Sequence, residues 1–262
     1  MYEHELKRSR VGNAGAGDGR QGFSRLELLT ILGVLGLLAA LVLPALANNK
    51  QRSERVICLN NLRQIGQAYH EWGTEHSSRL PVRTPYCEGG LMPFGCDVGA
   101  GPAPWWLAGF QNNVWFQYLW ISNELRTPKI LVCPSDPAKS AANHWGGSPG
   151  GLANAYYQNR AVSYIVALDA FPDDKDALVS GDRNIRPSSI SGSCSSGVSP
   201  CRTLIFGGPL TFGLTSAIHV DAGDFLFYDG RVEELSSQGF VRRLTEAVGG
   251  TMDNGRIHYI EP

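Results

Sequence analysis

Glu27 is an acid at the start of a long apolar run. Residues 28–47 form a stretch of 20 residues without a charge. At about 1.5 Å per residue, a helix of that length spans about 30 Å, which is the thickness of the hydrocarbon core of a bilayer. A carboxylate beside such a segment is costly in lipid and usually has a function. The pattern predicts a membrane helix over about residues 26–47 with a functional acid.

Cleavage of the chain after Gly22 would give this acid a partner. It would remove a leader, residues 1–22, and create an α-amino group on Phe23, four residues before Glu27 and about one helical turn away. An amine of the same chain or of a neighbouring copy would neutralise the carboxylate and offset its cost in lipid. We therefore interpret Glu27 as an assembly residue that favours correct stacking.

His219 is a second candidate for chemistry. It is followed by nine residues and then by Asp229-Gly230. Asp-Gly between short apolar runs is a strong signal for a β-hairpin, here with strands at 224–228 and 231–235. A histidine can act in acid–base chemistry, but a buried histidine is more often satisfied by hydrogen bonds. We interpret His219 as a structural side chain hydrogen-bonded near the turn, and we predict no catalytic residue.

Five aspartates lie between residues 169 and 182, and three of them are close together: Asp173, Asp174 and Asp176. Ca²⁺ takes several such oxygens, so calcium is a candidate ligand of this stretch. The spacing matches no EF-hand, and the alternative is a solvated acidic loop without a metal. No other cofactor is expected.

Six cysteines suggest disulfides, because an exported domain would hold them in an oxidising compartment. None forms a C-x-x-C motif, so the zinc signal is weak. Cys87 with Cys96, and Cys194 with Cys201, would close short loops. The sequence allows many other pairings, and buried free thiols are the alternative.

The apolar run continues into an amphipathic helix. Apolar side chains recur every three or four residues beyond residue 50: Val56, Leu59, Leu62, Ile65, Tyr69 and Trp72. We expect one helix over residues 23–77, apolar all round in its first half and on one face in its second. Pro44 should kink it.

The remainder, residues 78–262, should form one globular domain. Gly and Pro are plentiful after residue 80, which favours turns and strands over a helical bundle. We predict strands at 129–133, 161–168 and 203–207, long loops at 134–160 and 169–202, and a short helix capped by Ser236. The predicted fold class is α+β: a long N-terminal helix packed on a small antiparallel β-sheet domain with long loops.

The N-terminal residues resemble those of a known family. Gly22, Phe23 and Glu27, with the apolar run behind them, are similar to the N-termini of type IV prepilins and type II secretion pseudopilins. In that family a prepilin peptidase cuts after the Gly and N-methylates the new Phe. The resemblance implies cleavage after Gly22, methylation of Phe23 and an assembly role for Glu27. Arg25 departs from the pattern, because the family has an uncharged residue there.

Three further stretches resemble a large prepilin-like family of bacterial proteins. They are residues 58–65, Cys133-Pro134-Ser135-Asp136, and the His-x9-Asp-Gly segment from His219 to Gly230. The resemblance implies a long N-terminal helix packed on a small antiparallel sheet.

Composition and missing motifs exclude several function classes. The net charge is −1, which does not favour nucleic acid as a partner. HExxH, P-loop and dinucleotide fingerprints are absent. Residues 146–150 spell G-x-S-x-G, but the strand and helix that a hydrolase elbow needs are not expected around them.

The resulting expectation is a non-enzymatic, single-pass inner-membrane subunit. Its C-terminal domain would be periplasmic, and after assembly it would be part of a surface or periplasmic filament, either a secretion pseudopilus or a type IV pilus-like fibre. Expected partners are the prepilin peptidase, copies of itself or related subunits, and an inner-membrane assembly machine. The alternative is an exported enzyme or binding protein with an ordinary signal peptide, cut after Ala45-Leu46-Ala47, or with a retained anchor.

Overall fold

The computed structural model describes residues 24–92, 113–186, 189–191, 201–205, 213–251 and 256–262. The chain divides into two compact units, Met1–Asn48 and Asn49–Pro262. The boundary between the units falls inside the first helix, α1, which runs from Arg25 to Glu75.

The first part of α1 is apolar and unburied. Its segment Arg25–Leu43 is long and apolar enough to cross a membrane, and none of it is buried in the protein. A signal sequence near an N-terminus has the same properties. An apolar N-terminal helix is thus present as predicted, and its relation to a membrane stays a prediction.

The second part of α1, residues 49–75, carries the amphipathic stripe. Leu62 and Ile65 are fully buried, and Trp72 is nearly so. Val56 is exposed, so the buried stripe begins at Cys58 and not at Val56 as predicted. Gly66 allows close packing, because a Cβ there would lie 2.8 Å from Leu226 Cδ1.

Short helices connect α1 to the sheet. They are the 3₁₀ helices Pro81–Arg83, Tyr86–Glu88, Pro128–Leu131 and Gln158–Ala161, and the α-helices α2, Val114–Leu119, and α3, Ser122–Leu125. The predicted strand at 129–133 is wrong. Pro128 occupies the first turn there, and the Thr127 side chain accepts a hydrogen bond from Lys129 N, so the chain starts a 3₁₀ helix instead.

Nine strands form the β structure of the described residues. They are β1 Tyr164–Ala167, β2 Leu178–Asp182, β3 Ile185–Arg186, β4 Ser189–Ser191, β5 Cys201–Ile205, β6 Gly213–Leu214, β7 Ala222–Phe227, β8 Val232–Ser236 and β9 Arg256–Ile260. Seven of them make one antiparallel sheet in the order β4-β5-β9-β1-β2-β7-β8, and β3 pairs with β6. The α+β class is confirmed.

Both faces of the seven-stranded sheet are covered. On one face Val166 and Leu226 join the core cluster that contains the stripe of α1. On the other face Phe225 stacks on Phe240 of helix α4, Ser237–Thr251, with ring centroids 4.2 Å apart. Side chains alternate between the faces along each strand, so every second residue of the central strands points toward α1.

The hairpin and the cap near the C-terminus agree with the sequence prediction. β7 and β8 are joined at Asp229-Gly230, where Phe227 N donates to Arg231 O and Gly230 has a φ of 85°. Ser236 Oγ accepts a hydrogen bond from Gly239 N, which is the predicted helix cap.

Candidate functional site

A row of polar side chains crosses the face of the sheet that is turned toward α1. Tyr164 of β1 is directly opposite Asp182 of β2, and Asp224 of β7 is directly opposite Glu234 of β8. Asp182 and Asp224 are also neighbours, because Asp224 N donates a hydrogen bond of 2.8 Å to Asp182 Oδ2. Four adjacent strands therefore place one polar group each in a single line.

The second part of α1 provides partners for both ends of this row. Arg55 Nη1 donates to Glu234 Oε1 over 2.6 Å, and Asn61 Nδ2 donates to Tyr164 Oη over 3.3 Å. Arg55 and Asn61 are six residues apart in the sequence, so a rise of about 9 Å and a rotation of about 120° separate them on the helix. The two central members, Asp182 and Asp224, receive neither of these contacts.

A disulfide lies between these two contacts on α1. Cys58 is bonded to Cys133, with 5.2 Å between their Cα atoms, and both residues are fully buried. The bond ties α1 to the segment that follows the 3₁₀ helix Pro128–Leu131. Cys133 Sγ also lies 3.6 Å from His219 Nε2. Cys58, Cys133 and His219, from three separate segments of the chain, thus meet at one point.

Sequence reasoning did not assign this disulfide, although a signal for it existed. Once Cys87 is paired with Cys96, and Cys194 with Cys201, only the two observed partners remain. Cys87 is disulfide-bonded. Cys96 and Cys194 lie outside the described residues, so both short-loop pairs stay predictions.

His219 points into the middle of the polar row. Its Nε2 atom lies 3.4 Å from Asp182 Oδ2 and 3.7 Å from Asp224 Oδ2. His219 is 4% exposed and both aspartates are fully buried. A backbone bridge to Ala222 holds His219 at the start of β7, whereas Asp229-Gly230 follows the end of that strand. The described side-chain contacts of His219 are therefore with the acids and the disulfide, and not with the turn.

The two acids have oxygens without hydrogen-bond partners among the described residues. These atoms are Asp182 Oδ1 and both carboxylate oxygens of Asp224. Within that part of the chain, His219 is the one basic side chain within 4 Å of either carboxylate. A buried carboxylate in this condition is costly, because it has lost its water without gaining a compensating donor.

The pKa values of these groups reflect the same lack of water and of hydrogen-bond donors. Burial raises the pKa of Asp182 well above its usual range, and the charge of Asp224 adds to the effect. Burial, followed by the charge of Glu234, raises the pKa of Asp224 to about 7. Burial lowers the pKa of His219, and the charge of Arg55 lowers it further. All three groups are therefore driven toward their neutral forms.

A bidentate salt bridge lies beside the row of polar side chains. Arg183 Nε and Nη2 donate to the two carboxylate oxygens of Asp136, each over 2.8 Å. Burial alone would raise the pKa of Asp136, but the hydrogen bonds and charge of Arg183 outweigh it, and the pKa is lowered. Arg183 directly follows Asp182, and Asp136 lies three residues after Cys133. The salt bridge therefore restrains the chain next to Asp182 and next to Cys133.

The predicted calcium residues have other contacts. Asp176 Oδ1 accepts from Arg243 Nη2 over 2.8 Å and also from Arg231 Nη2. Asp174 Oδ1 accepts from Asp176 N over 3.0 Å, and Asp173 is exposed. Two guanidinium groups thus compete with a cation for Asp176. Calcium at this loop stays a prediction.

The structure gives Glu27 a local hydrogen bond at the start of α1. Glu27 Oε2 accepts from Ser24 N over 3.1 Å, and Ser24 Oγ accepts from Leu26 N over 3.2 Å. This reciprocal pair resembles a capping box, with Ser24 bonded to the second backbone N–H of the helix and not to the third. Gly22 and Phe23 lie outside the described residues, so cleavage and methylation stay predictions.

Pro44 is located within α1. The predicted kink stays a prediction.

The G-x-S-x-G letters at residues 146–150 do not form a nucleophile. Ser148 Oγ lies 3.4 Å from His144 Nε2, but Gly146 N donates to His144 Nδ1. Nδ1 is therefore the acceptor of that ring and Nε2 carries the proton, so the imidazole cannot take a proton from Ser148. No flanking strand and helix hold the serine on a sharp turn.

No protein-family model matches this chain, and no match was found among curated proteins or among solved structures.

Proposed function

We propose that this protein is a pilin-like structural subunit, cut by a prepilin peptidase between Gly22 and Phe23 and assembled into a type II secretion pseudopilus or type IV pilus-like filament. The observation that carries the proposal is the uneven burial of α1. Large apolar side chains from Leu26 to Leu46 are 45–73% exposed, whereas Leu62 and Ile65 on the same helix are fully buried.

The exposed part of α1 requires a cover. An apolar surface of this extent is unfavourable in water and marks a membrane or interaction surface. A bilayer would cover it before assembly, and the same segments of other copies would cover it in a filament core. The subunit would wait in the inner membrane with its β-rich domain in the periplasm, and an assembly machine would extract it.

The position of Glu27 supports assembly over simple anchoring. Its carboxylate already reaches back to Ser24 N, one residue from the nitrogen that cleavage would release on Phe23. A helix N-terminus attracts negative charge, and a free amine there adds a full positive charge for the carboxylate of the same chain or of a neighbour. The local cap explains part of the role of Glu27 and leaves the charge available for packing between copies.

One observation favours the alternative of an exported enzyme or binding protein. The boundary between the compact units follows Asn48, one residue beyond the A-x-A sequence at residues 45–47 that a signal peptidase would recognise. Cleavage there would remove the apolar run and leave the buried stripe in place.

The test separates the charge of Glu27 from its capping function. Glu27→Gln keeps a side chain that can serve in a capping box but removes the charge, while Ser24→Ala removes the cap and keeps the charge. We expect Glu27→Gln to lower incorporation into sheared filaments at least about tenfold, because it leaves an amine without its partner. Ser24→Ala should assemble close to the wild-type level, since a lost cap costs about 1 kcal/mol.

The measurement is an immunoblot of the filament and membrane fractions in the native host, with total subunit as the loading control. Incorporation of Glu27→Gln at the wild-type level would remove the role proposed for the charge. Loss in Ser24→Ala, with Glu27→Gln at the wild-type level, would assign Glu27 to the cap alone.

A further inference from the structure

The cluster of Asp182, His219 and Asp224 has no role in the proposed filament function. We propose that these three side chains form a buried binding site for one divalent transition-metal ion of the Zn²⁺ type. The site would hold the domain together and does not depend on whether the chain assembles into a filament.

The distances between the three groups are those of ligands around a single ion. His219 Nε2 is 3.4 Å from Asp182 Oδ2 and 3.7 Å from Asp224 Oδ2, and one ligand atom of each residue lies within 4.8 Å of the others. Zinc binds nitrogen and oxygen at about 2.0–2.2 Å, so two ligands of a tetrahedral ion are about 3.4 Å apart. A direct hydrogen bond would be about 2.7–3.2 Å long, which is shorter than either separation.

A divalent cation would also compensate the two aspartates in their ionised form. Two fully buried carboxylates face one imidazole, and no Arg or Lys among the described residues lies within 4 Å of them. Arg55 is engaged by Glu234, and Arg183 is engaged by Asp136. A divalent ion would neutralise both carboxylates at once, which a neutral histidine cannot do.

The unpartnered oxygens provide enough ligand atoms. Asp224 has two free oxygens and Asp182 has a free Oδ1 in addition to the Oδ2 that accepts from Asp224 N. His219 Nε2 and one oxygen of each aspartate give three ligand atoms, and the second oxygen of Asp224 would supply a fourth. The hydrogen bond from Asp224 N to Asp182 Oδ2 fixes the carboxylate, as outer-shell contacts do in metal sites.

The donor set selects the class of metal. Imidazole nitrogen suits Zn²⁺ and related transition ions, whereas Ca²⁺ and Mg²⁺ take oxygen ligands. The sulfurs of Cys58 and Cys133 lie beside His219 but are joined in a disulfide, so neither is a thiolate ligand. The composition of the site is therefore one nitrogen and carboxylate oxygens.

The position of the site indicates a structural ion. It would link β2, β7 and the segment that precedes β7, next to the disulfide that ties α1 to the domain. Catalytic zinc sites keep one position open to water or substrate, whereas these ligands are 0–4% exposed. The ion would hold β2, β7 and the segment before β7 together, beside the disulfide that ties α1 to the domain.

The test uses the full chain, without an affinity tag, in detergent micelles. The protein is first dialysed against a chelator, then against buffered Zn²⁺, and bound metal is measured by elemental analysis after gel filtration. We expect one ion per chain and a rise in Tm of about 5–10 °C when free Zn²⁺ is about 100 times its Kd.

Matched variants locate the ion. Asp224→Asn and His219→Gln should lose the bound ion and the rise in Tm. Asp173→Asn and His70→Gln change the same residue types at exposed positions and should keep both. Near-ultraviolet circular dichroism of metal-free Asp224→Asn should match the wild type, because the change is isosteric and removes a buried charge.

Three results would overturn the proposal. They are a wild-type protein that binds no ion, a folded Asp224→Asn variant that binds zinc like the wild type, and a rise in Tm with Ca²⁺ or Mg²⁺ but not with Zn²⁺. If Asp224→Asn does not fold, the wild-type stoichiometry and the His219→Gln variant decide. A failure of filament assembly leaves all of these measurements unchanged, because they use the unassembled protein.

Discussion

At the scale of single residues, Glu27 has a capping contact in the structure and a proposed assembly role. Its place at the start of an apolar run suggests an assembly charge, and Ser24-x-x-Glu27 is at the same time the pattern of a capping box. The second pattern could have been read from the sequence, but the cost of an acid in lipid drew the interpretation toward assembly. The paired variants at Ser24 and Glu27 matter because each role alone would explain the acid.

Asp224 gives a prediction for pH dependence in metal-free protein. Its pKa is about 7 in the folded chain and 3.8 ordinarily, so the folded state holds more protons between about pH 4 and about pH 7. Stability therefore falls as the pH rises through this window, and the full penalty is present above it. The free energy of unfolding of the wild type, minus that of Asp224→Asn, should drop by up to about 4 kcal/mol.

Urea titrations of both proteins at several pH values, with a chelator present, measure this difference. Subtracting the variant removes contributions from titrating groups that do not contact Asp224. A difference that stays constant, or that grows with pH, would show that the Asp224 carboxyl is not held neutral by burial. Added Zn²⁺ should reverse the trend near neutral pH, since the ion takes the place of the proton.

The sequence singles out His219 as a candidate residue. It does not reveal which residues His219 contacts. Asp182 lies in a stretch that the sequence predicts as a loop, and it reaches Asp224 across 42 positions of the chain. Only strand pairing brings the two acids together, and the β2 sequence Leu-Val-Ser-Gly-Asp lacks the apolar alternation that would have revealed a strand. The cluster therefore needed the fold before it could be seen.

At the scale of elements, α1 has two parts. Its first part is apolar all round and uncovered, and its second part buries one apolar face in the domain. The change from apolar all round to apolar on one face was readable from the sequence, and the buried stripe agrees with it from Cys58 onward. The hairpin at Asp229-Gly230 was also readable, because its signal is local. The position of β9 between β5 and β1 was not, because it depends on pairing between distant segments.

Two leucines of α1 test this division. Leu62 is fully buried in the stripe, and Leu35 is 55% exposed in the apolar part. Leu62→Ala should lower the free energy of unfolding of the domain by about 2–5 kcal/mol, because it leaves a cavity against the sheet. Leu35→Ala, the same change on the same helix, should alter it by no more than about 0.5 kcal/mol.

Chemical unfolding in detergent, followed by tryptophan fluorescence, measures both variants against the wild type. Trp72 and Trp115 are both buried in the domain and report on its core. Equal effects of the two changes would contradict the division of α1 into a docked part and an uncovered part.

At the scale of the whole molecule, the protein combines an uncovered apolar helix segment with a domain built for rigidity. The disulfide Cys58–Cys133 and the polar row fasten residues 49–75 to the sheet. In a filament, such fastening would keep the displayed domain attached to the helix during extraction from the membrane. The proposed metal ion would hold β2 and β7 together next to this connection, because His219 lies beside the disulfide.

The N-terminus of the mature protein tests the central proposal most directly. Mass spectrometry of the N-terminal peptide, from protein purified out of the native host, distinguishes prepilin processing from signal-peptide cleavage and from a retained anchor. The proposal predicts a chain that begins at Phe23 and carries one methyl group on its amine. A chain that begins at Asn48 would show signal-peptide cleavage, one that keeps Met1 would show a plain anchor, and either result would contradict the pilin-like function.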